Sequence, residues 1–354
     1  MPRLGLVGFA NSGKSTVFNA LTGLSSPTAS HPHSTVQPQP GVALVPDPLL
    51  DKAALVERSA KTTHATLDLL DLPPLSESAS GETLGRVRDV DALLMVVRSF
   101  ADPSVPAGEG GTDPIEQADR LLLQLTLADH DVFERRLQRL EKEAGPDPSK
   151  RPTLAVVEEA ASLLGSGGAL RSQAWDDDAL QVLHEMGALT IKPAVWLANV
   201  GEDENGTMGW EARLRSVVPS GDEVVAASAL LEEEAAQVDS EARAELLSGL
   251  GLGAGVLARV VGAAYASLGL ISFYTLGPKE ARAWTVRRGA TASEAAGKIH
   301  TDLERGFIRA EVCTLEHAIS AGGFEAAKKA GMVRVEGKAY EVAEGDVLLI
   351  RFSV

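Results

Sequence analysis

The sequence contains very little cysteine. Its 354 residues include one, Cys313. A single cysteine cannot close an internal disulfide and cannot build a zinc site of cysteines. Because such scarcity is typical of a reducing compartment, we expect a cytoplasmic protein.

Basic residues are also in deficit. Lys and Arg total 33 against 49 Asp and Glu, which gives a formal net charge of −16. This balance argues against a general electrostatic attraction to nucleic acid or to anionic membranes, although a local basic patch stays open.

Long apolar runs suited to a membrane span are lacking as well. Residues 4–10 are apolar but too short for a secretory signal core, and they lead directly into a polar loop. Residues 260–278 carry no charge, yet Gly269 divides them into a helix-like half and a strand-like half. We therefore expect no membrane association.

What the sequence does contain is an ordinary share of apolar residues, 44%, arranged in three patterns. Residues 1–114 and 190–270 alternate short apolar strands with helical stretches, which is typical of an α/β domain with a mostly parallel sheet. Residues 115–189 have the periodicity of two long helices with a Gly-Pro break, which predicts an inserted helical hairpin.

The third pattern covers residues 271–354. They carry 12 Lys and Arg against 11 Asp and Glu, a net charge of +1, whereas the preceding 270 residues carry 21 against 38, a net charge of −17. Short strand patterns around one helix predict a small mixed α+β domain here.

A phosphate-binding loop follows the first predicted strand. Gly8, Gly13, Lys14 and Ser15 match G-x-x-x-x-G-K-[ST] between a strand and a helix, as the chemistry requires. Main-chain N–H groups and the helix N-terminus stabilise anionic oxygens, Lys14 reaches the outer phosphates, and the Ser15 hydroxyl ligates Mg²⁺. We count the neighbouring loop residues among the nucleotide-binding residues: Asn11, Ser12 and Thr16.

An acidic partner for the metal is expected at the end of a neighbouring strand. Asp71, after the strand ATLDLL, is the first candidate, and Asp68 inside that strand is the competitor. A threonine that meets Mg²⁺ and the γ-phosphate would lie in the Ser-, Thr- and Pro-rich segment 25–40. Thr35 is the candidate for this catalytic and metal-binding role, although it could also be only a loop residue.

A nucleobase site is predicted after a later strand. Asn199, Val200 and Glu202 supply an amide and a carboxylate where guanine-specific enzymes use Asn-Lys-x-Asp. The longer Glu side chain cannot occupy the place of that Asp, so guanine loses its paired acceptor and adenine is favoured. The alternative is that Glu202 only begins an acidic loop.

Several stretches together resemble the YchF-type Obg-like ATPases over essentially the whole chain. They are GFANSGKSTVFNALT, STVQPQPGVALVPDPLLDK, LTLADHDVFERRLQRL, KPAVWLANVGED and RAWTVRRGATASEAAGKIHTDLERGFIRAEV. The last stretch is long and specific, far beyond a phosphate-loop pattern.

The resemblance implies a P-loop NTPase domain of the TRAFAC class, an inserted α-helical hairpin and a C-terminal ubiquitin-like β-grasp (TGS) domain. It implies a preference for ATP over GTP, Mg²⁺ as cofactor, and the ribosome or ribosomal RNA as partner. It places Ser228 and Ala229 in the loop around the base. Asn11 matches a family residue that related enzymes link to K⁺, so potassium stimulation is a further hypothesis. We expect a monomer.

Two positions depart from the family pattern. Asp71 is followed by Leu72, Pro73 and Pro74 instead of x-Ala-Gly, and proline cannot donate the N–H that the family glycine offers to the γ-phosphate. Ala107 stands where many members carry a histidine thought to position the attacking water. We therefore predict an ATPase with slow turnover. The alternatives are a nucleotide-binding scaffold without hydrolysis and a GTPase.

Overall fold

The structure is a computed structural model, and it describes residues 2–24, 37–76, 81–107, 111–201, 208–238, 242, 245–247, 255 and 257–353. The chain divides into two compact units. The first comprises residues 1–42 and 68–264, and the second comprises residues 43–67 and 265–354. The domain boundaries predicted from the sequence stay a prediction, and they do not anticipate that residues 43–67 group with the C-terminal part.

The described residues form the following strands and helices, numbered along the whole chain. The strands are β1 (Arg3–Val7), β2 (Gln39–Leu44), β3 (Thr62–Thr63), β4 (Thr66–Asp71), β5 (Ala92–Ser99), β6 (Ala194–Val200), β7 (Glu223–Ala227), β8 (Leu270–Thr275), β9 (Ala281–Arg287), β10 (Phe307–Thr314), β11 (Arg334–Glu336) and β12 (Asp346–Phe352). The helices are α1 (Lys14–Thr22), α2 (Pro48–Glu57), α3 (Gly81–Arg88), α4 (Pro114–Ala144), α5 (Arg151–Gly165), α6 (Asp177–Glu185), α7 (Met208–Arg215), α8 (Ala229–Ala236), α9 (Leu257–Ser267), α10 (Ala292–Ile299), α11 (Thr301–Arg305), α12 (Leu315–Ala321) and α13 (Phe324–Lys329).

The first sheet has the strand order β2-β4-β1-β5-β6-β7. β1 runs parallel to β4 and β5, and β6 runs parallel to β5 and β7. Every residue of β5 and of β6 is buried, as expected for central strands of a parallel sheet with both faces covered. The predicted α/β architecture is confirmed, and the carboxyl ends of the parallel strands meet at one edge, where ligands of such sheets bind.

The predicted helical hairpin is present as α4 and α5. Asp113 caps α4 by accepting a hydrogen bond from the N–H of Ile115, and Pro114 occupies the first helical turn. The helix then continues for 31 residues, and its apolar stripe packs against α5 and α6. The core that α4 and α5 share with α6 contains Phe133, Leu140, Val157, Ala160, Leu164 and Leu183.

The second unit is built on a mixed sheet of order β11-β10-β12-β8-β9-β3. β12 pairs antiparallel with β10 and parallel with β8. Helix α2 packs against this sheet in one core with Tyr274, Cys313 and Phe324. The predicted mixed α+β character is confirmed, whereas the ubiquitin-like TGS assignment stays a prediction. Cys313 is fully buried, as expected for a small apolar residue, and burial raises its pKa to about 11.

Among the described residues, no helix combines the length and the apolar composition that crossing a membrane requires.

Candidate nucleotide-binding site

The phosphate loop has the backbone geometry of an anion site. Asn11 and Gly13 adopt left-handed conformations, with φ of 61° and 90°, immediately before α1 begins at Lys14. No side chain among the described residues caps the N-terminus of α1. The positive end of the α1 dipole therefore lies at the phosphate loop without a side-chain cap, a position that favours an anion.

Both motif glycines are required by close contacts. A Cβ at Gly8 would lie 2.4 Å from the carbonyl oxygen of Val96, and a Cβ at Gly13 would lie 2.1 Å from Nδ2 of Asn199. No side chain fits at these distances. The sequence pattern thus reports the tight approach of this loop to β5 and β6.

Lys14 is buried under the loop. Its Nζ donates a hydrogen bond to the carbonyl of Phe9 at 3.1 Å. Burial lowers the pKa of Lys14 to about 8, and the nearby Asp71 carboxylate opposes that shift. A cation held in this way gains stabilisation when phosphate oxygens arrive.

Ser15 and Asp71 meet next to the loop. The Ser15 hydroxyl donates to Oδ2 of Asp71 at 2.8 Å. Oδ1 of Asp71 is buried and has no hydrogen-bond partner within the part of the chain that is described. Burial raises the pKa of Asp71, while Lys14 and the Ser15 hydroxyl lower it. A hydroxyl beside a carboxylate with an unsatisfied oxygen fits the oxygen ligands that Mg²⁺ prefers.

Asp71 and Asp68, the two candidates for the acidic metal partner, lie at different places along β4. The pairing of β1 with β4 sets Asp71 beside Leu6, at the end of β1 that enters the phosphate loop, and sets Asp68 beside Arg3 at the other end. Asp68 is half-buried, whereas Asp71 is buried and accepts the hydrogen bond of the Ser15 hydroxyl.

Asn199 connects the phosphate loop to the start of α8. Its Nδ2 donates to the carbonyl of Ser12 at 3.0 Å, and its Oδ1 accepts from the N–H of Ala229 at 3.0 Å. This side chain is buried. Both ends of the amide are therefore used inside the protein, so Asn199 supports the site as a brace.

Beside this brace lies a cavity of about 560 Å³, within the usual size of small-ligand sites. Gly13, Thr16, Val200 and Ser228 are among the residues that line it. The Ser228 hydroxyl is buried and has no hydrogen-bond partner among the described atoms. Ser228 therefore places an unsatisfied hydroxyl among the residues that line the cavity.

The cavity is also lined by a segment in which the sequence reasoning singled out only Ala107. We call residues 100–107, which follow β5, the cavity loop. Phe100, Asp102 and Val105 of this loop line the cavity, and Ala107 at its end is exposed. Four of its carbonyls accept hydrogen bonds from Arg98, a residue that the sequence reasoning missed. The available signal was a charged residue near the end of an otherwise apolar predicted strand.

The segment after Asp71 is fixed by packing. Leu72 and Leu75 are buried in the core of the first unit, and the N–H of Leu75 donates to the carbonyl of Gly8 at 3.0 Å. Nε2 of Gln124 on α4 donates to the carbonyl of Ser76 at 2.8 Å. Pro73 and Pro74 lie half-buried between these anchors.

Two predicted site residues, Thr35 and Glu202, lie outside the described residues. The described histidine His64 belongs to the second unit. There its Nε2 is 2.8 Å from Oδ1 of Asp51. The remaining predicted residues of the loop, metal and base groups all lie in the first unit.

Comparisons with known proteins give the family. A family model described as a 50S ribosome-binding GTPase matches residues 3–132. A model for the YchF GTPase C-terminal region, described as a protein of unknown function, matches residues 270–353. A ribosome-binding ATPase YchF of Haemophilus influenzae is 41% identical, over 99% of each chain. This chain belongs to the YchF family.

Other YchF proteins extend the likeness. The ribosome-binding ATPase YchF of Bacillus subtilis is 36% identical over 99% of each chain. The solved structure of the Schizosaccharomyces pombe YchF GTPase superposes with a TM-score of 0.84 at 26% identity, covering 99% of this chain and 97% of that one. The family resemblance and the P-loop NTPase fold predicted from the sequence are thereby confirmed.

Proposed function

We propose that this chain is a cytoplasmic, ribosome-associated P-loop ATPase that binds ATP with Mg²⁺ and turns it over slowly. The observation that carries the proposal is the Ser15–Asp71 pair beside an uncapped helix N-terminus, with one buried carboxylate oxygen lacking a partner among the described residues. The names of two relatives, each a ribosome-binding ATPase, support the proposed association with the ribosome and the proposed use of ATP.

Each loop residue has a distinct task in this proposal. Lys14 and the N–H groups of the first turn of α1 bind the outer phosphate oxygens and orient the scissile bond. Ser15 and Asp71 are the residues that would hold Mg²⁺, and Thr35 is proposed as a further ligand. When bound, Mg²⁺ supplies charge neutralisation at the phosphates.

Adenine is the proposed base because Glu202 replaces the Asp of guanine-specific sites. The 560 Å³ cavity would receive it. Asn199 braces this cavity, and the unpartnered Ser228 hydroxyl is the described group best placed to recognise a polar edge of the base. Val200 and Ala229 complete the proposed base site.

The proposal extends to architecture and partners. We propose that the hairpin and residues 271–354, which we interpret as a TGS domain, contact ribosomal RNA or ribosomal protein. We propose that the chain acts as a monomer. Potassium stimulation through Asn11 is proposed as well. The Nδ2 of Asn11 donates a hydrogen bond to the carbonyl of Pro106 at 3.1 Å. Equal ATPase rates in K⁺ and Na⁺ buffers would reject that part.

The test is nucleotide affinity and turnover measured with and without purified ribosomes. We expect ATP to bind more tightly than GTP in competition, and ribosomes to change the rate of ATP cleavage. Lys14→Ala serves as the control that removes the phosphate contact. GTP binding tenfold more tightly than ATP would favour a GTPase, and no binding of either nucleotide would refute the proposal.

A second candidate is a nucleotide-binding scaffold without hydrolysis. Pro74 cannot donate an N–H to a γ-phosphate, and the next N–H, that of Leu75, is already used by the carbonyl of Gly8. Ala107 has no polar side chain to orient water. Single-turnover cleavage of ATP, measured with the enzyme in molar excess over ATP, distinguishes the two candidates. Cleavage above the Lys14→Ala background supports the ATPase, and a rate equal to that background supports the scaffold.

A further inference from the structure

We propose that Arg98 is a positioning residue for nucleotide binding, acting through the cavity loop. This inference rests on the proposed function, because the cavity is taken as the nucleotide site. Arg98 is the next-to-last residue of β5, in which every residue is buried, and only 3% of its surface is exposed. A charge in this place needs several hydrogen-bond partners.

The partners are backbone carbonyls of the cavity loop. Nε donates to Phe100 at 3.3 Å, and Nη1 donates to Pro106 at 3.0 Å. Nη2 donates to both Asp102 and Val105 at 3.1 Å. The guanidinium carbon also lies 4.6 Å from the centre of the Phe100 ring. One side chain thus gathers four carbonyls that span most of the loop.

Inside the loop, one backbone hydrogen bond closes a turn, in which the N–H of Val105 donates to the carbonyl of Asp102 at 3.2 Å. Residues 100–107 contain no helix or strand, so no ladder of backbone hydrogen bonds fixes them. Asp102 stabilises one turn by accepting from the N–H and the hydroxyl of Ser104. A planar guanidinium offers five N–H groups in a fixed fork, whereas a lysine ammonium offers three at one point. Only arginine can satisfy these four carbonyls together.

Arg98 is itself fixed from the other side. Its backbone N–H donates to Oε1 of Gln117 on α4 at 3.0 Å, and Nε2 of Gln117 donates to its carbonyl at 3.2 Å. Gln117 is buried. The guanidinium therefore projects from a rigid junction between β5 and α4.

One carbonyl oxygen, that of Pro106, connects the cavity loop both to Arg98 and to the phosphate loop. The carbonyl of Pro106 accepts from Nη1 of Arg98 and from Nδ2 of Asn11. Asn11 is the residue of the phosphate loop with a φ of 61°. Arg98 thereby sets the distance between the wall of the cavity and the loop that would bind the phosphates.

The partners of the Arg98 guanidinium show how this residue would influence nucleotide binding. The guanidinium hydrogen bonds are directed at loop carbonyls, so Arg98 would not act by charge on the phosphates. Its contribution is to hold Phe100, Asp102 and Val105 in place along the cavity that Val200 and Ser228 also line. Without it, ligand binding must first order the loop, which lowers affinity.

Two variants and one matched control test the inference. Arg98→Met keeps the long apolar stem and removes every donor, and Arg98→Lys keeps the charge but not the fork. Arg136→Met is the control, since Arg136 lies on the hairpin with a 3.7 Å ion pair to Glu143. Circular dichroism and thermal melting establish that each variant is folded. If Arg98→Met does not fold, Arg98→Lys carries the comparison.

The first measurement is thermolysin cleavage of the nucleotide-free protein, with the cut sites located by mass spectrometry. We expect cleavage within residues 100–107 to be about tenfold faster in Arg98→Met than in the wild type, since opening the loop no longer breaks its anchoring bonds. Arg98→Lys should be intermediate and Arg136→Met unchanged. Equal cleavage in all four proteins would overturn the inference.

The second measurement compares ATP with inorganic tripolyphosphate as competitors of a fluorescent ATP analogue. We expect Arg98→Met to weaken ATP at least about tenfold, the equivalent of about 1.4 kcal/mol, and tripolyphosphate less than about threefold. Equal weakening of both would assign Arg98 to general stability and overturn the positioning role, as would unchanged ATP affinity. A wild type that binds neither competitor nor analogue refutes the proposed function itself, and the cleavage comparison still reports whether Arg98 holds the loop.

Discussion

Lys14 should make the stability of the nucleotide-free protein depend on pH in an unusual direction. Its pKa is lowered from 10.5 to about 8, chiefly by burial. Below pH 8 the lysine is protonated in both the folded and the unfolded protein. Between pH 8 and 10.5 the unfolded chain binds the extra proton, so the free energy of unfolding rises as the pH rises. At 1.36 kcal/mol per pH unit, the full rise is about 3 kcal/mol.

The assay is urea unfolding at several pH values from 7 to 10.5, in EDTA and without nucleotide. Lys14→Met is the reference, because all other titrating groups are common to both proteins. We expect the unfolding free energy of the wild type to increase relative to Lys14→Met by about 3 kcal/mol over this range. A difference between the two proteins that stays constant with pH would refute the reasoning, since Lys14 would then have the same pKa in both states.

Three further predictions concern the site and its support. Gly13→Ala should weaken ATP binding about 100-fold in a competition titration. It adds about 1–2 kcal/mol of left-handed strain and displaces Asn199 from its hydrogen bonds, each worth about 1 kcal/mol, so a change below fivefold would contradict this. Asp129→Ala should lower the unfolding free energy by about 3–5 kcal/mol, because the buried carboxylate accepts both the N–H and the hydroxyl of Thr190, and urea titration would show it. Ala107→His should raise single-turnover ATP cleavage at least about tenfold by orienting water, and an unchanged rate would remove that position from the mechanism.

The strand, loop and helix around Lys14 could be predicted because their signals are local. A buried strand, glycines at fixed spacing and an amphipathic helix occupy one continuous stretch, and no distant contact is needed to interpret them. The choice between Asp68 and Asp71 was harder. It depends on the register of β4 against β1, which sets Asp71 beside Leu6 and which a single sequence leaves open.

The support around the site could not be predicted in the same way. Arg98 acts through carbonyls, and every residue type offers one, so the partner sequence carries no mark of the contact. Asn199 was correctly placed at a strand end, but its role as a brace depends on Ser12 and Ala229, which are far away in the chain. Long-range pairing of this kind becomes visible only after folding.

The grouping of residues 43–67 with residues 265–354 has a practical consequence for anyone who wants to divide this protein. Helix α2 shares a core with Tyr274 and Phe324, and the N–H of Phe324 donates to Oε2 of Glu57 at 3.0 Å. A fragment that stops at residue 264 would expose the apolar side of α2 to water, and a fragment that starts at residue 265 would lack that helix. Each piece would therefore lack part of the core of the second unit, so experiments that assign functions to the two units are better done with point substitutions in the intact chain than with truncations.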